Sequence, residues 1–222
     1  MKHIIDIETW SRRDNYKFFQ GFDNCWLTLT SELDCTEALQ AAKREGQSFF
    51  IRYLYAVLRA VNEVPEMRYR TDKAGRVCRY DSVDALTPVA RKSGGFYSVR
   101  IPYIQDFEAF HAAARRIIGD IPAEGGNPYA EENAVIEQGD YDVILFSAVP
   151  KLYFTGYVPT LHRAGQAQLY PMFLAGKAVE RGDRRVMPLG WTFSHEFVDG
   201  EHFARFAELA QRYLDNPLIS DE

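Results

Sequence analysis

Cysteine is scarce in this chain of 222 residues: Cys25, Cys35 and Cys78 are the only three. Three thiols cannot all pair, and no C-x-x-C spacing offers a zinc ligand set, so they read as reduced thiols of a cytoplasmic protein. Long apolar runs are lacking too. None approaches the roughly 20 residues of a membrane span, and Lys2, Asp6, Glu8, Arg12 and Arg13 leave no room for the apolar stretch of a signal peptide. Nor is there an excess of basic charge. Against 31 Asp and Glu stand 26 Lys and Arg, a formal net charge of -5. The nearest approaches to a basic patch, Arg12-Arg13 and Arg115-Arg116, are isolated pairs. Phosphate-driven binding of nucleic acid is therefore not expected. No repeat, low-complexity tract or stretch of linker composition divides the chain, so residues 1–222 read as one α/β domain.

What is present is apolar and aromatic. Hydrophobic residues make up 46% of the chain, ample to offset the ordering entropy that keeps a polar chain unfolded. Thirteen Tyr and 15 Phe against three Trp suit either a packed core or a ring-lined pocket, and composition does not choose between them.

Periodicity then places elements along the chain. Tyr16, Phe18 and Phe19 after Ser11-Arg12-Arg13-Asp14 predict a short helix with an aromatic face. Alternation over 25–30 predicts a half-exposed strand. A helix over 34–44 follows, with Asp34 as N-cap, Glu37 at capping-box spacing and Gly46 as stop. Phe49, Phe50, Tyr53, Leu54, Val57, Leu58 and Val61 keep helical spacing up to Pro65 and read as core. Strands are expected over 67–70, 77–80 and 96–102, with Lys73-Ala74-Gly75 as a hairpin turn, and a helix over 107–118. Residues 119–139 read as an irregular surface excursion. Beyond it come strands over 142–148, 168–177 and 184–195, and a final amphipathic helix carrying Phe203, Phe206, Leu209, Ala210, Tyr213 and Leu214.

Of five histidines, His3, His111, His162 and His202 sit in unremarkable contexts, and no H-x-x-x-H or H-E-x-x-H pair supports a metal site. His195 differs. It ends the strand-like run Trp191-Thr192-Phe193-Ser194 and precedes Glu196-Phe197-Val198-Asp199-Gly200 at the start of a helix. A strand end opening into a helix exposes a side chain on a rigid support. Imidazole as a side-chain group can take a proton from a hydroxyl and return it. Read alone, Asp199-Gly200 is equally a turn with a helix cap.

Ser194-His195-Glu196-Phe197-Val198-Asp199-Gly200, followed by Phe203-Ala204-Arg205-Phe206, resembles the active-site signature of the chloramphenicol acetyltransferase family. Its superfamily also holds the dihydrolipoamide acyltransferase catalytic domains. The likeness extends along nearly the whole chain: Trp10-Ser11-Arg12-Arg13 with Phe18-Phe19, Cys25 through Asp34, Ser147-Ala148-Val149-Pro150, Gly182-Asp183-Arg184 and Met187-Pro188-Leu189. The resemblance implies an α/β fold, a two-layer sandwich whose mixed sheet carries helices packed on one face. It implies acetyl-CoA as co-substrate, no metal, and a homotrimer with active sites between subunits.

The roles it implies fall on named residues. His195 would be the general base, removing a proton from the acceptor hydroxyl as it attacks the thioester, with no covalent enzyme intermediate. Ser147 would donate to the oxyanion, a contribution of roughly 3 kcal/mol. Asp199, with Gly200 beside it, would pair with Arg13 and hold the loop after the base. Phe18, Phe19, Cys25, Phe154 and Leu174 would line the acceptor pocket, and Lys177 would meet the coenzyme phosphates. The chain departs from the family at Ser194, where a histidine is common, and at Leu174, where a threonine stands near the oxyanion. It departs again at Phe19, where a tyrosine lines the pocket, and at Ala178 and Ser48 on the coenzyme side. Lost polar handles change acceptor choice strongly. Chloramphenicol is thus the default acceptor, another hydroxyl or amine compound the alternative, and a non-catalytic small-molecule-binding homologue the third reading. A lipoyl-enzyme core fits less well, since neither a lipoyl domain nor an Ala/Pro-rich linker precedes the motifs.

Overall fold

The structure is a computed structural model and describes residues 1–22, 25–160 and 170–219. Among these the elements run β1 (Lys2–Ile4), α1 (Arg13–Phe19), β2 (Trp26–Asp34), α2 (Thr36–Glu45), α3 (Phe49–Glu63), β3 (Tyr69–Thr71), β4 (Val77–Tyr80), β5 (Asp84–Ala90), β6 (Phe96–Ile101), α4 (Phe107–Gly119), α5 (Ala130–Gln138), β7 (Val143–Ala148), β8 (Met172–Ala175), β9 (Val179–Arg181), β10 (Arg184–Ser194) and α6 (Gly200–Asp215). His162 and the start of the strand expected over 168–177 lie outside the described residues.

The apolar stripe of α3 is the centre of the packing. Ser48 caps it, its Oγ accepting from Ile51 N at 3.4 Å, and every residue from Ile51 to Val61 is buried. Each fully buried large side chain contributes roughly 1.5–3 kcal/mol. α3 lies against α6, and Arg59 bridges them: its guanidinium sits 3.9 Å from the Tyr213 ring centroid while Nε donates to Glu63 at 2.9 Å. Below these helices is the larger sheet, in the order β2-β10-β8-β7-β5-β6, with β9 paired to β10. The β5–β7 and β7–β8 pairs are parallel and the others antiparallel, so the sheet is mixed. A small sheet, β1-β4-β3, stands apart.

Alternation along β10 sorts its two faces. Leu189, Trp191 and Phe193 join the helix-side core, with Trp191 and Phe193 against Phe203 and Phe206 of α6. Pro188, Gly190, Thr192 and Ser194 point the other way and are buried as well. Aromatic side chains from the segment after β7 cover part of that second face. A Cβ at Gly190 would lie 2.6 Å from Tyr157 Cδ1, and one at Gly176 would lie 2.8 Å from Phe154 Cε1. Glycine is required at both positions because rings occupy the space. Turning from β9 into β10, Gly182 takes φ 62°, a left-handed conformation that suits glycine.

Several boundaries differ from expectation for identifiable reasons. Cys35, not Asp34, is the N-cap of α2, although Asp34 Oδ1 accepts from Thr36 N at 3.0 Å and Thr36 Oγ1 at 2.6 Å just outside it. Pro65–Arg68 forms a 3₁₀ turn, so the strand expected from 67 begins at Tyr69. β5 has no counterpart among the predicted strands because Pro88 argues against one. Its pairing to β7 covers only Asp84, Ala85 and Leu86, which leaves Pro88 outside that ladder. The expected irregular excursion contains α5, which buries Val135 against Leu86 and Val143 in a small separate cluster.

Candidate active site

Strand β10, flanked by β2 and β8, delivers His195 just past its C-terminal end. Its backbone N–H donates to the Cys25 carbonyl at 2.7 Å, tying it to the residue before β2. The chain then turns sharply, with Phe197 N and Val198 N both donating to Ser194 O at 3.1 Å. Phe197 is buried and stacks on Tyr16 of α1 with ring centroids 5.9 Å apart, which anchors the turn. The imidazole of His195 lies against Phe19, centroids 4.1 Å apart and planes 20° from parallel, and its Nδ1 is buried without a hydrogen-bond partner among the described residues. Phe19 in turn touches Phe18 and Phe22. Phe18 is 64% exposed, so this ring cluster opens outward from the imidazole.

Asp199 starts α6. Its Oδ1 accepts from Glu201 N at 3.2 Å, and its own N–H donates to His202 Nδ1 at 3.2 Å, a reciprocal capping arrangement. Its cationic partner is Arg12 rather than the expected Arg13. Arg12 Nη1 donates to Asp199 Oδ2 at 3.1 Å, whereas Arg13 Nε donates to its neighbour Asp14 at 3.0 Å. The reason is helix geometry. Arg12, the residue before α1, folds inward with a side chain 16% exposed, while Arg13 begins the helix on its outer side and is 42% exposed. Burial alone would raise the Asp199 carboxyl. The Arg12 hydrogen bond and the neighbouring His202 outweigh it and hold the group below the usual carboxylate range.

The other expected residues form a second group. Ser147 on β7 is in register with Leu174 on β8, Leu174 with Gly190 on β10, and Gly190 with Thr30 on β2. This row crosses the sheet on the face away from the helices. Phe154 sits over Gly176 just past β8, and exposed Lys177 follows, its N–H donating to Leu152 O at 2.8 Å. Tyr157, seated on Gly190, is hydrogen-bonded to Thr192, which lies 3.0 Å from Thr28. Burial pushes the Tyr157 hydroxyl up to about 12. His195 is five residues along β10 from Gly190, and Ser147 two strands across, so strand geometry separates their Cα atoms by about 20 Å. One chain therefore brings His195, Phe18, Phe19 and Cys25 together, and Ser147, Leu174, Phe154 and Lys177 together, without joining the groups.

Two further features bear on the chemistry. Burial raises the thiols of Cys25, Cys35 and Cys78, that of Cys35 to about 12, so none is held as a reactive thiolate. A cleft of about 750 Å³ opens at the far end of β2 and β10, lined by Glu32, Asp34, Glu37, Asp183 and Asp215 with Arg184. Its carboxylates repel anions, and it lies nowhere near His195. Among the described residues, no group of three or more His, Cys, Asp or Glu could hold a metal ion, and no helix is long and apolar enough to cross a membrane. Residue-by-residue reading gave no role to Arg12, Tyr157 or Glu196. Glu196 lies inside the active-site signature, but only its side-chain geometry distinguishes it.

In the layout of its sheet and helices the chain is similar to a solved Azotobacter vinelandii dihydrolipoamide acetyltransferase, with a TM-score of 0.60 over 92% of this chain and 86% of that one at 15% identity, a likeness of fold alone. The more particular assignment follows from sequence. The family model for chloramphenicol acetyltransferase matches residues 2–211, and the chain belongs to that family, a family of acyltransferases. It is 28% identical to chloramphenicol acetyltransferase 2 of Escherichia coli, over 96% of this chain and 97% of that one. Chloramphenicol acetyltransferase of Proteus mirabilis is 27% identical over 96% and 94%. A solved chloramphenicol acetyltransferase structure matches with a TM-score of 0.92 and 48% identity, over 96% of this chain and all of the other.

Proposed function

We propose that this chain is an acetyl-CoA-dependent O-acetyltransferase in which His195 removes the proton from an acceptor hydroxyl. The observation that carries the reading is the seat of His195: a backbone fixed to Cys25, a ring fixed against Phe19, and an imidazole edge at the mouth of an aromatic cluster. The acceptor oxygen attacks the thioester carbonyl as His195 takes its proton. Collapse expels the coenzyme thiolate, which the imidazolium protonates, so the base is regenerated. Ser147 donates to the oxygen that gains charge. Asp199, Arg12 and Gly200 hold the loop behind the base, and Lys177 is the cation offered to coenzyme phosphates.

The separation of His195 from Ser147 favours a site completed by a second copy of the chain, in line with the homotrimer that the family likeness implies. Each imidazole would then meet the Ser147 row of a neighbour. Chloramphenicol is the first acceptor to test, because the relatives are named for it. A second reading, transfer to a different hydroxyl or amine, is favoured by Phe19 and Leu174, which offer apolar surface where a polar acceptor needs hydrogen bonds. A cytoplasmic setting suits the three free thiols.

The test is release of coenzyme thiol from acetyl-CoA with and without chloramphenicol, in wild type and His195→Ala. Chloramphenicol-dependent release that His195→Ala abolishes is expected. Absence of such release removes chloramphenicol as acceptor, and transfer to another acceptor, still dependent on His195, would establish the second reading. Small-molecule binding without transfer to any of a broad acceptor panel would instead make the chain a non-catalytic homologue.

A further inference from the structure

The residue after the base carries a carboxylate with no part in the chemistry described so far. Glu196 is partly buried, and its partners are neutral. Ser194 Oγ donates to Glu196 Oε2 at 2.9 Å and accepts from Glu196 N at 3.3 Å. Cys25 Sγ lies 3.6 Å from Ser194 Oγ and is hydrogen-bonded to the carboxylate as well. The Cys25 carbonyl takes the His195 N–H at 2.7 Å. Ser194 and Cys25 thus both donate to Glu196, which, with the Cys25 carbonyl on His195 N, ties the end of β10 to the residue before β2.

As a stabiliser this arrangement is poor. Burial pushes the Glu196 carboxyl up, and the hydrogen bonds from Ser194 and Cys25 offset that only in part. A buried carboxylate without a cation gains little net stability. What it supplies is geometry, because each of its bonds restrains the turn on which the imidazole sits. It stands beside Ser194, at the position where the family commonly has a histidine.

We propose that Glu196, with Ser194 and Cys25, is a positioning residue for His195, clamping the turn after β10 so that the imidazole stays aligned against Phe19. The inference rests on His195 being the base. It differs from a structural role in what it predicts for kinetics, since a misaligned base lowers turnover without weakening substrate binding.

Steady-state kinetics on the full chain, with acetyl-CoA and an acceptor that the wild type acetylates, test it. Glu196→Ala is expected to lower kcat about 10- to 100-fold with KM for both substrates within about twofold, the size of loss that small misplacements produce. Glu196→Gln, whose carboxamide oxygen still accepts from Ser194, is expected to stay within about threefold of wild type. Combining Glu196→Ala with Ser194→Ala should cost no more than the worse single change, because both break one network. Wild-type turnover in Glu196→Ala, or equal losses in Glu196→Ala and Glu196→Gln, would overturn the proposal. If Glu196→Ala does not fold, Ser194→Ala alone decides it: a kcat loss of about tenfold supports the clamp, and unchanged kcat refutes it. A wild type and His195→Ala that transfer acetyl equally well would overturn the base assignment and this inference with it.

Discussion

His195 and Ser147 are held in place by different means. Around His195 the support is local and polar: one backbone hydrogen bond to Cys25, the Ser194–Glu196 pair, the Asp199 cap and its Arg12 partner, with Phe19 as the one flat wall. Around Ser147 the support is sheet register, with rings seated on glycines one and two strands away. The contrast suits the tasks proposed for the two residues. A base must keep one nitrogen aimed at a moving proton, so the whole turn bearing it is tied down. An oxyanion donor on a strand needs only the correct row and an uncluttered face. The two supports also lie about 20 Å apart in one chain, the separation behind the proposal that a second copy completes the site.

The comparison breaks most decisively if both residues serve one chain. His195→Ala is expected to lower kcat by about 10²–10⁴, and Ser147→Ala by about 10²–10³. Mixing the two inactive variants by unfolding and refolding them together should restore activity. In a random ring, about a quarter of the sites would pair an intact His195 with an intact Ser147 from its neighbour. No recovery in mixed oligomers whose composition is verified would place both residues in the same chain's site and discard the inter-subunit arrangement.

A smaller effect probes the Ser147 side. In Gly190→Ala the new Cβ would lie 2.6 Å from Tyr157 Cδ1 and must displace that ring. Overpacking of this kind costs about 1–3 kcal/mol, or about 2–4 °C in Tm per kcal/mol for a chain of this size. Adding Tyr157→Ala should return part of the lost stability, because the obstruction leaves with the ring. If the double variant is less stable than the sum of the singles, the seat of Tyr157 on Gly190 is not the source of the loss.

These two regions were unequally legible in the sequence. The Ser194–Gly200 motif, the apolar spacing of α3 and α6 and the strand-like run that ends at His195 are written in local pattern, and the structure has all of them. β5 and α5 were not. Pro88 argues against a strand that tertiary pairing nonetheless forms, and α5 has a single buried residue, Val135, so it carries no apolar stripe to read. In the site, Arg12 and Arg13 are adjacent and chemically identical. Only the start of α1 decides which one turns toward Asp199, and helix starts are poorly marked when, as here, no side chain caps them. The Ser147–Leu174–Gly190–Thr30 row depends on pairing four strands distant in sequence, which no local signal encodes.

The smallest expected effect separates those two arginines. Arg12 and Asp199 are each partly buried, so removing Arg12 should cost about 1–2 kcal/mol, between the values for exposed and buried pairs. Arg13→Ala, which loses only exposed contacts to Asp14 and Glu8, should stay within about 0.5 kcal/mol of wild type. The pH dependence carries the sharper signature. Asp199 is held below the ordinary carboxylate range when folded, so its contribution is fully present above the unfolded value of about 3.9 and is lost as pH falls through the folded one. Arg12→Ala should therefore flatten the acid side of the stability curve below about pH 5, while Arg13→Ala leaves its shape unchanged. Denaturant unfolding across that range reads both. A flattened curve in Arg13→Ala instead would move the support of the His195 turn back to the outer face of α1, where the structure has Asp14 as the arginine's partner.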